Sequence, residues 1–363
     1  MLRVLMLMTD LQRGGLPLRL VRLAEALRAF DIQPTVGSLA VRGPLSEHLE
    51  SLGIETFSCD GRGPYDAACL ERLARRVREV RPDLIHSALF HANIAARLVG
   101  RLDRPRPIIT STVTIEIERS WHRWLEALSA DRSDRHVANS EAVARHLRDD
   151  LGFPPQQLEV IPNGLDVGAI DAVPRVDRGA WGFEKDVPLI VWAGRMDPVK
   201  NLNVFVEVIE AVSRRRAVRA VLVGDGPERP RIEELIAERG LGGRITLAGW
   251  SEDVAGWIKT ADLMLFPSRT EGSPNAVIEA MLCRCPVVAS DLPATRELLW
   301  PGAGRLCPAL DVDGFSGAIE DLLDDAGSRE RMVGTARARA EERHDLPKVV
   351  ARWVDLYGRT VST

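Results

Sequence analysis

Short apolar runs alternate along the chain with segments whose apolar residues recur every three or four positions. The run RVLMLM at 3–8 predicts a strand. It is followed by a helix carrying Leu20, Leu23, Ala24 and Leu27 on one face. Strands are predicted near 34–39 and 54–57. A helix over 67–80 repeats the stripe with Leu70, Leu73, Ala74 and Val77. Further strands are predicted at 83–86, 107–112, 135–138 and 158–161, with helices between them. After Pro162-Asn163-Gly164 the rhythm pauses, and residues 164–187 read as a linker of Asp, Gly, Pro and mixed charge with short structure. It restarts with a strand at 188–193 and a helix at 202–214. Strands at 218–223, 244–248, 262–266 and 286–289 then alternate with helices at 228–239, 252–259 and 275–283. A helical stretch from about 311 to 360 closes the chain.

Alternating β and α implies parallel sheets with right-handed crossovers, and the restart implies two of them. The expected fold class is therefore α/β, with two Rossmann-like domains. Ligands of such sheets bind at the carboxyl ends of the strands, so the expected site is a cleft between two facing domains. The expected division is 1–165, 166–345 and a C-terminal helix, 346–363, returning to the first domain.

Composition narrows the class of protein. The 363 residues are 45% hydrophobic and 28% charged, a globular balance that excludes long disorder. The formal net charge of −4 gives no reason to expect a nucleic-acid partner. Five scattered cysteines do not form a disulfide framework, which suits a reducing cytosol. No apolar run approaches the ~18 residues of a membrane span, and the N-terminal run reads as a strand. The expectation is a cytoplasmic protein with at most peripheral contact at the inner membrane face, since ERLARRVREVR and RLVGRLDRPR read best as solvated helix faces. Of the 48 basic residues only Lys185, Lys200, Lys259 and Lys348 are lysines. A lysine inside a glycine-rich loop therefore draws notice.

Candidate chemistry clusters after the strands of the second half. In FPSRTEGSPNAVIE (266–279), Ser273-Pro274 predicts a helix start whose N–H groups and dipole favour a phosphate. Glu271 precedes that start and Glu279 follows one turn inside; each could accept two sugar hydroxyls, or the stretch could be an ordinary capped helix. In AGRMDPVKN (193–201), Arg195 and Lys200 place two cations on one loop, suited to a diphosphate or simply solvated. The glycines of VGDGPER (223–229) would let a nucleotide approach, as any βα turn would. Gly14-Gly15 opens a helix in the first half. His86 and His91 flank the end of strand 83–86, as substrate contacts or as structural residues. Asp311-x-Asp313 looks like a metal motif but falls at a helix start, and reads as capping.

Together these segments resemble the family 4 retaining glycosyltransferases of the GT-B fold. The resemblance is carried by VIPNGLD (160–166), AGRMDPVKN, VGDGPER, LAGWSEDV (247–254) and EGSPNAVIE running into AMLCRCPVVASDLPATRELL. It extends to GGLPLRLVRLAEAL and HSALFHANIAARL in the first half. It implies a UDP- or GDP-sugar held by the second domain, with Arg195, Lys200 and the backbone of Asn275, Ala276 and Val277 on the diphosphate. Glu279 would take the ribose, Glu271 the sugar, Trp250 the neighbourhood of the base, with Gly224 in the loop beside it and Gly15 approaching from the first domain. The acceptor would be a glycan, a lipid-linked intermediate or a small molecule, and no metal or other cofactor would be needed. Many relatives carry H-x-H where this chain has His86-Ser87-Ala88, so His91 is the candidate for the missing histidine. A non-catalytic sugar-nucleotide binder and a sugar-nucleotide epimerase are the alternatives.

Overall fold

The computed structural model describes the chain apart from residues 13–14, 64–65, 116–119 and 363, and apart from the side chains of residues 15 and 16. It divides into two compact units, Met1–Gly164 with Leu346–Thr363, and Leu165–Asp345.

The first unit runs β1 (Leu2–Met8), α1 (Gly15–Leu27), β2 (Ile32–Ser38), α2 (Pro44–Ser51), β3 (Glu55–Ser58), α3 (Ala67–Val80), β4 (Leu84–Ala88), α4 (Phe90–Val99), β5 (Ile108–Thr112), α5 (Ser120–Ser129), β6 (Arg135–Ala138), α6 (Glu141–Arg145) and β7 (Leu158–Val160). Its seven strands lie parallel in the order β3-β2-β1-β4-β5-β6-β7. Central strand β1 is covered on both faces, which explains its long apolar run. All five residues of β4 are buried. The register Met8↔Ala88 brings the carboxyl ends of β1 and β4 level at the point where the strand order reverses.

The second unit runs α7 (Val167–Ala172), β8 (Leu189–Ala193), α8 (Leu202–Ser213), β9 (Arg219–Val223), α9 (Arg229–Glu238), β10 (Ile245–Gly249), α10 (Val254–Thr260), β11 (Leu263–Phe266), α11 (Asn275–Leu282), β12 (Val287–Ser290), α12 (Pro293–Leu299), β13 (Arg305–Cys307), α13 (Val312–Asp324) and α14 (Ala326–His344). Six parallel strands are ordered β10-β9-β8-β11-β12-β13, so here the reversal lies between β8 and β11. Both of those strands are buried throughout, as LIVWA and LMLF.

Helix α15 (Leu346–Val361) belongs to the first unit. It buries Val349, Val350, Trp353, Leu356 and Tyr357 in the same core as Leu20 and Leu27 of α1. The helical stretch expected from about 311 to 360 is three helices. Asp325 ends one and caps the next, accepting from the Ser328 N–H at 2.8 Å, and extended Asp345 separates the last two. The linker holds α7, capped by Asp166 on the Ala169 N–H at 2.8 Å. Asp311 caps α13 in the same way, at 2.9 Å from the Gly314 N–H.

Candidate functional site

In the second unit, the two motif loops leave the carboxyl ends of β8 and β11, the strands that flank the reversal. The first is welded to the loop after β9. The Gly194 N–H donates to Val223 O at 3.0 Å, the Met196 N–H to Asp225 O at 2.9 Å and the Glu228 N–H to Met196 O at 3.0 Å. Gly224, at φ 132°, approaches so closely that a Cβ there would sit 1.8 Å from Gly194 O. The second loop is tied in by Asn201, a buried residue in left-handed conformation (φ 55°). Its Nδ2 donates to Pro267 O and Ala309 O, both at 3.1 Å, and its Oδ1 accepts from Arg269 Nε at 3.2 Å.

This scaffold places Lys200 against Glu271, with Nζ 2.7 Å from Oε1 and both side chains largely buried. The ammonium also stands 5.7 Å from the Phe266 ring centroid. Arg195 is different: its side chain is 73% exposed and pairs with Asp197 at 3.2 Å, so it can be redirected at small cost. Helix α11 begins one residue later than Ser-Pro capping predicts, with Pro274 itself as the cap. The Val277 and Ile278 N–H groups donate to Pro274 O, at 3.1 and 3.3 Å, while Asn275 and Ala276 precede the first residue whose N–H donates within the helix. Glu279 is half-buried one turn on, and Trp250, 55% exposed, follows β10. Ser268, in the loop after β11, is a residue the sequence reading did not single out. Its Oγ is buried with no hydrogen-bond partner among the described residues.

In the first unit Gly15 is the first residue of α1, while Gly14 lies outside the described residues. His86 is locked inside. Its Nδ1 lies 2.7 Å from Tyr357 Oη and its Nε2 2.8 Å from Ser111 Oγ, and Trp353 stacks on the ring at 4.4 Å. Burial lowers its pKa to about 3, helped by the nearby Arg19 guanidinium, so it stays neutral and has no ring nitrogen to spare. Arg19 donates to Asn163 Oδ1, and desolvation lowers its own pKa to about 10, leaving it cationic. His91 sits in the first turn of α4, after Leu89, whose backbone is held at φ 75°. Its ring meets Phe90 and His122 edge-on, at 5.1 and 5.5 Å. Behind them a cavity of about 60 Å³ opens at the ends of β4 and β5, walled by Phe90, His122, Arg123, Glu126 and His146. Among the described residues, no group of three or more His, Cys, Asp or Glu side chains is placed to hold a metal, and no helix is long and apolar enough to cross a membrane.

Residues 13–168 match the Glycosyltransferase Family 4 and residues 187–325 the Glycosyl transferases group 1. The chain belongs to the group 1, family 4 glycosyltransferases, and both of its units have the Rossmann-like build of the GT-B fold. It is 34% identical to the alpha-D-kanosaminyltransferase of Streptomyces kanamyceticus, over 44% of this chain and 42% of that one. It is 30% identical to the lipopolysaccharide core biosynthesis glycosyltransferase LpsE of Rhizobium meliloti, over 55% of this chain and 57% of that protein. These alignments thus span about half the length of those relatives. An Escherichia coli UDP-Gal:alpha-D-GlcNAc-diphosphoundecaprenol alpha-1,3-galactosyltransferase is 24% identical over 78% of both chains. Among solved structures, Anabaena HepE in complex with UDP superposes with a TM-score of 0.87 at 22% identity, covering 99% of this chain and 100% of that one.

Proposed function

We propose that this protein is a metal-independent retaining glycosyltransferase that moves a sugar from a nucleoside-diphosphate sugar to a glycan, lipid-linked or small-molecule acceptor. The observation that carries the reading is the Lys200–Glu271 pair, fixed beside the start of α11 where the second sheet reverses. An incoming diphosphate competes with Glu271 for the ammonium, because two phosphate charges outweigh one carboxylate. Lys200 and Arg195 then share the diphosphate with the backbone of Asn275 and Ala276 at the start of α11, the Val277 N–H being engaged by Pro274 O, and Glu271 is released to the hydroxyls of the sugar. Glu279, one turn along, meets the ribose, with Gly224 and Trp250 beside the base. These cations and amides stabilise charge on the leaving diphosphate, the work a metal ion would otherwise do. The bond from the anomeric carbon to the β-phosphate oxygen breaks and a bond to the acceptor oxygen forms on the same face. The acceptor proton goes to the departing phosphate oxygen, and His91 is the side chain nearest in kind to the histidine that the sequence lacks at Ala88.

The relatives favour a uridine nucleotide: HepE is described in complex with UDP, and the E. coli relative is named for UDP-Gal. Product analysis with UDP- and GDP-sugars in the presence of a chelator tests the proposal. Transfer or slow hydrolysis that releases the nucleoside diphosphate, persists in chelator and falls at least 100-fold in Glu271→Gln is expected. Sugar isomerisation without nucleotide release would establish an epimerase. Binding without any turnover would establish a non-catalytic binder, the reading that Ala88 and the locked His86 favour.

A further inference from the structure

Strand β4, helix α4 and strand β5 are latched together by polar groups. Ser87 Oγ donates to Asn93 Oδ1 at 2.8 Å, and Asn93 Nδ2 donates to Ser111 O at 3.1 Å, all three residues being buried. Between the two ends of this latch Leu89 is held at φ 75°, a conformation that a bulky L residue rarely adopts. Such strain costs on the order of 1–3 kcal/mol and persists where the surroundings enforce it, most often beside a ligand. Leu89 lines the cavity at the ends of β4 and β5, the place where parallel sheets bind their ligands.

Helix α5 forms another wall of that cavity. Its His122 ring is clamped, stacked on Phe90 at 3.8 Å and edge-on to Trp121 at 4.0 Å. Glu126 is engaged by Arg97 of α4, which donates to its Oε2 at 2.6 Å and to Ser129 Oγ and Ser133 Oγ at 3.0 and 2.9 Å. That buried pair is matched and hydrogen-bonded. His146 Nδ1 lies 2.7 Å from Asp150 Oδ2. Arg123 is the exception. It lines the same cavity, half-buried, and makes no ion pair or hydrogen bond among the described residues; its Nε is buried without a partner.

A partly desolvated guanidinium without a partner is costly. Its place in the first turn of α5 adds to the cost, because a helix N-terminus disfavours a cation. Folding gains nothing from this arginine, whereas a bound anion would offset both costs. The guanidinium fork matches two oxygens of a phosphate or a carboxylate. Arg97 and Arg123 together outweigh Glu126, so an entering anion meets net positive charge. The cavity of about 60 Å³ has room for roughly four to six water molecules, enough for either group.

We propose that this cavity is an oxyanion subsite, in which Arg123 binds a phosphate or carboxylate group carried by the acceptor. That the group belongs to an acceptor rests on the proposed transferase function; binding of the anion itself does not.

The test is thermal unfolding of the full chain in chloride, inorganic phosphate and acetate at equal ionic strength, with wild type, Arg123→Gln and Lys200→Ala. Phosphate strengthens burial in any protein, so the quantity to read is the anion-induced shift of wild type beyond that of Arg123→Gln. An excess of about 1 °C or more is expected, in phosphate if the cavity takes a phosphate group and in acetate if it takes a carboxylate. Lys200→Ala, altered in the second unit, should show the wild-type shift. In chloride Arg123→Gln should be at least as stable as wild type, since the guanidinium leaves no partner behind. Equal shifts in wild type and Arg123→Gln with both anions overturn the proposal. So does a shift that Lys200→Ala abolishes and Arg123→Gln keeps, which would place the anion at the loops after β8 and β11. An Arg123→Gln variant that melts several degrees lower in chloride would make Arg123 a part of the fold, and would overturn it too. The UDP-induced shift of each variant, measured in the same preparations, reports on the donor reading alone, so its failure is told apart from failure of the subsite.

Discussion

Gly224 shows how little room the loop after β9 leaves. Its φ of 132° and the 1.8 Å approach a Cβ would make to Gly194 O put the backbones after β8 and β9 in direct contact. A methyl group there must push the loop of Arg195 and Lys200 away from β9. Gly224→Ala is expected to cost about 2 kcal/mol or more in unfolding free energy, and to weaken nucleotide binding even where the protein stays folded. Denaturant unfolding with and without UDP measures both, and an Ala variant of wild-type stability would show that the loops are not held together as described. At this scale the sequence was partly legible. Glycine, lysine and glutamate types pointed to phosphate and hydroxyl chemistry, but spacing cannot show that Lys200 and Glu271, 71 positions apart, hold each other at 2.7 Å. Nor does a sequence distinguish His86 from His91. Only the packing of Trp353 and Tyr357, from the far end of the chain, makes the first a core residue.

At the scale of elements, periodicity located most strands and helices, because strands buried on both faces must read as continuous apolar runs and their cover helices as stripes. It was least informative where elements are short, as with β13 at three residues and α12 at seven, and where a helix breaks the rule, as α5 does by turning its polar side inward. The helix packed on β4 carries a pH consequence. His86 and His136 are both buried and both lowered to about 3, the first by desolvation with Arg19 nearby and the second by desolvation with Arg97 nearby. Unfolded, each titrates near 6.5, so between pH 6.5 and 3 the unfolded chain binds protons that the folded chain refuses. Folding stability contributed by these groups is therefore full above pH 6.5 and is lost as the pH falls. From pH 6.5 to 5 the loss is about 2 kcal/mol for each histidine. His86→Asn should remove its share, flattening the fall of thermal midpoint with acidity while lowering the midpoint at pH 7 through lost packing. An unchanged pH slope would mean that His86 titrates normally and is not sealed by α15.

At the scale of the whole molecule, the two sheets give the same instruction twice: a strand order that reverses, with chemistry-bearing loops at the carboxyl ends that flank the reversal. That architecture was legible because two rounds of βα alternation, separated by a linker, have few other solutions. The acceptor was not legible, since nothing in a short motif fixes what the first unit recognises. The central claim is that the loops after β8 and β11 form a nucleoside-diphosphate site centred on Lys200. Thermal unfolding with uridine and guanosine diphosphates, wild type against Lys200→Ala, tests it directly. The variant leaves the Glu271 carboxylate unpaired and is expected to start from a lower midpoint, so the quantity to compare is the ligand-induced shift. At a ligand concentration about 100 times Kd, wild type should gain roughly 2.7 kcal/mol, a rise of about 1 to 5 °C, and the variant little or none. Equal shifts in both proteins, or no shift with any nucleotide in a folded wild type, would contradict the account.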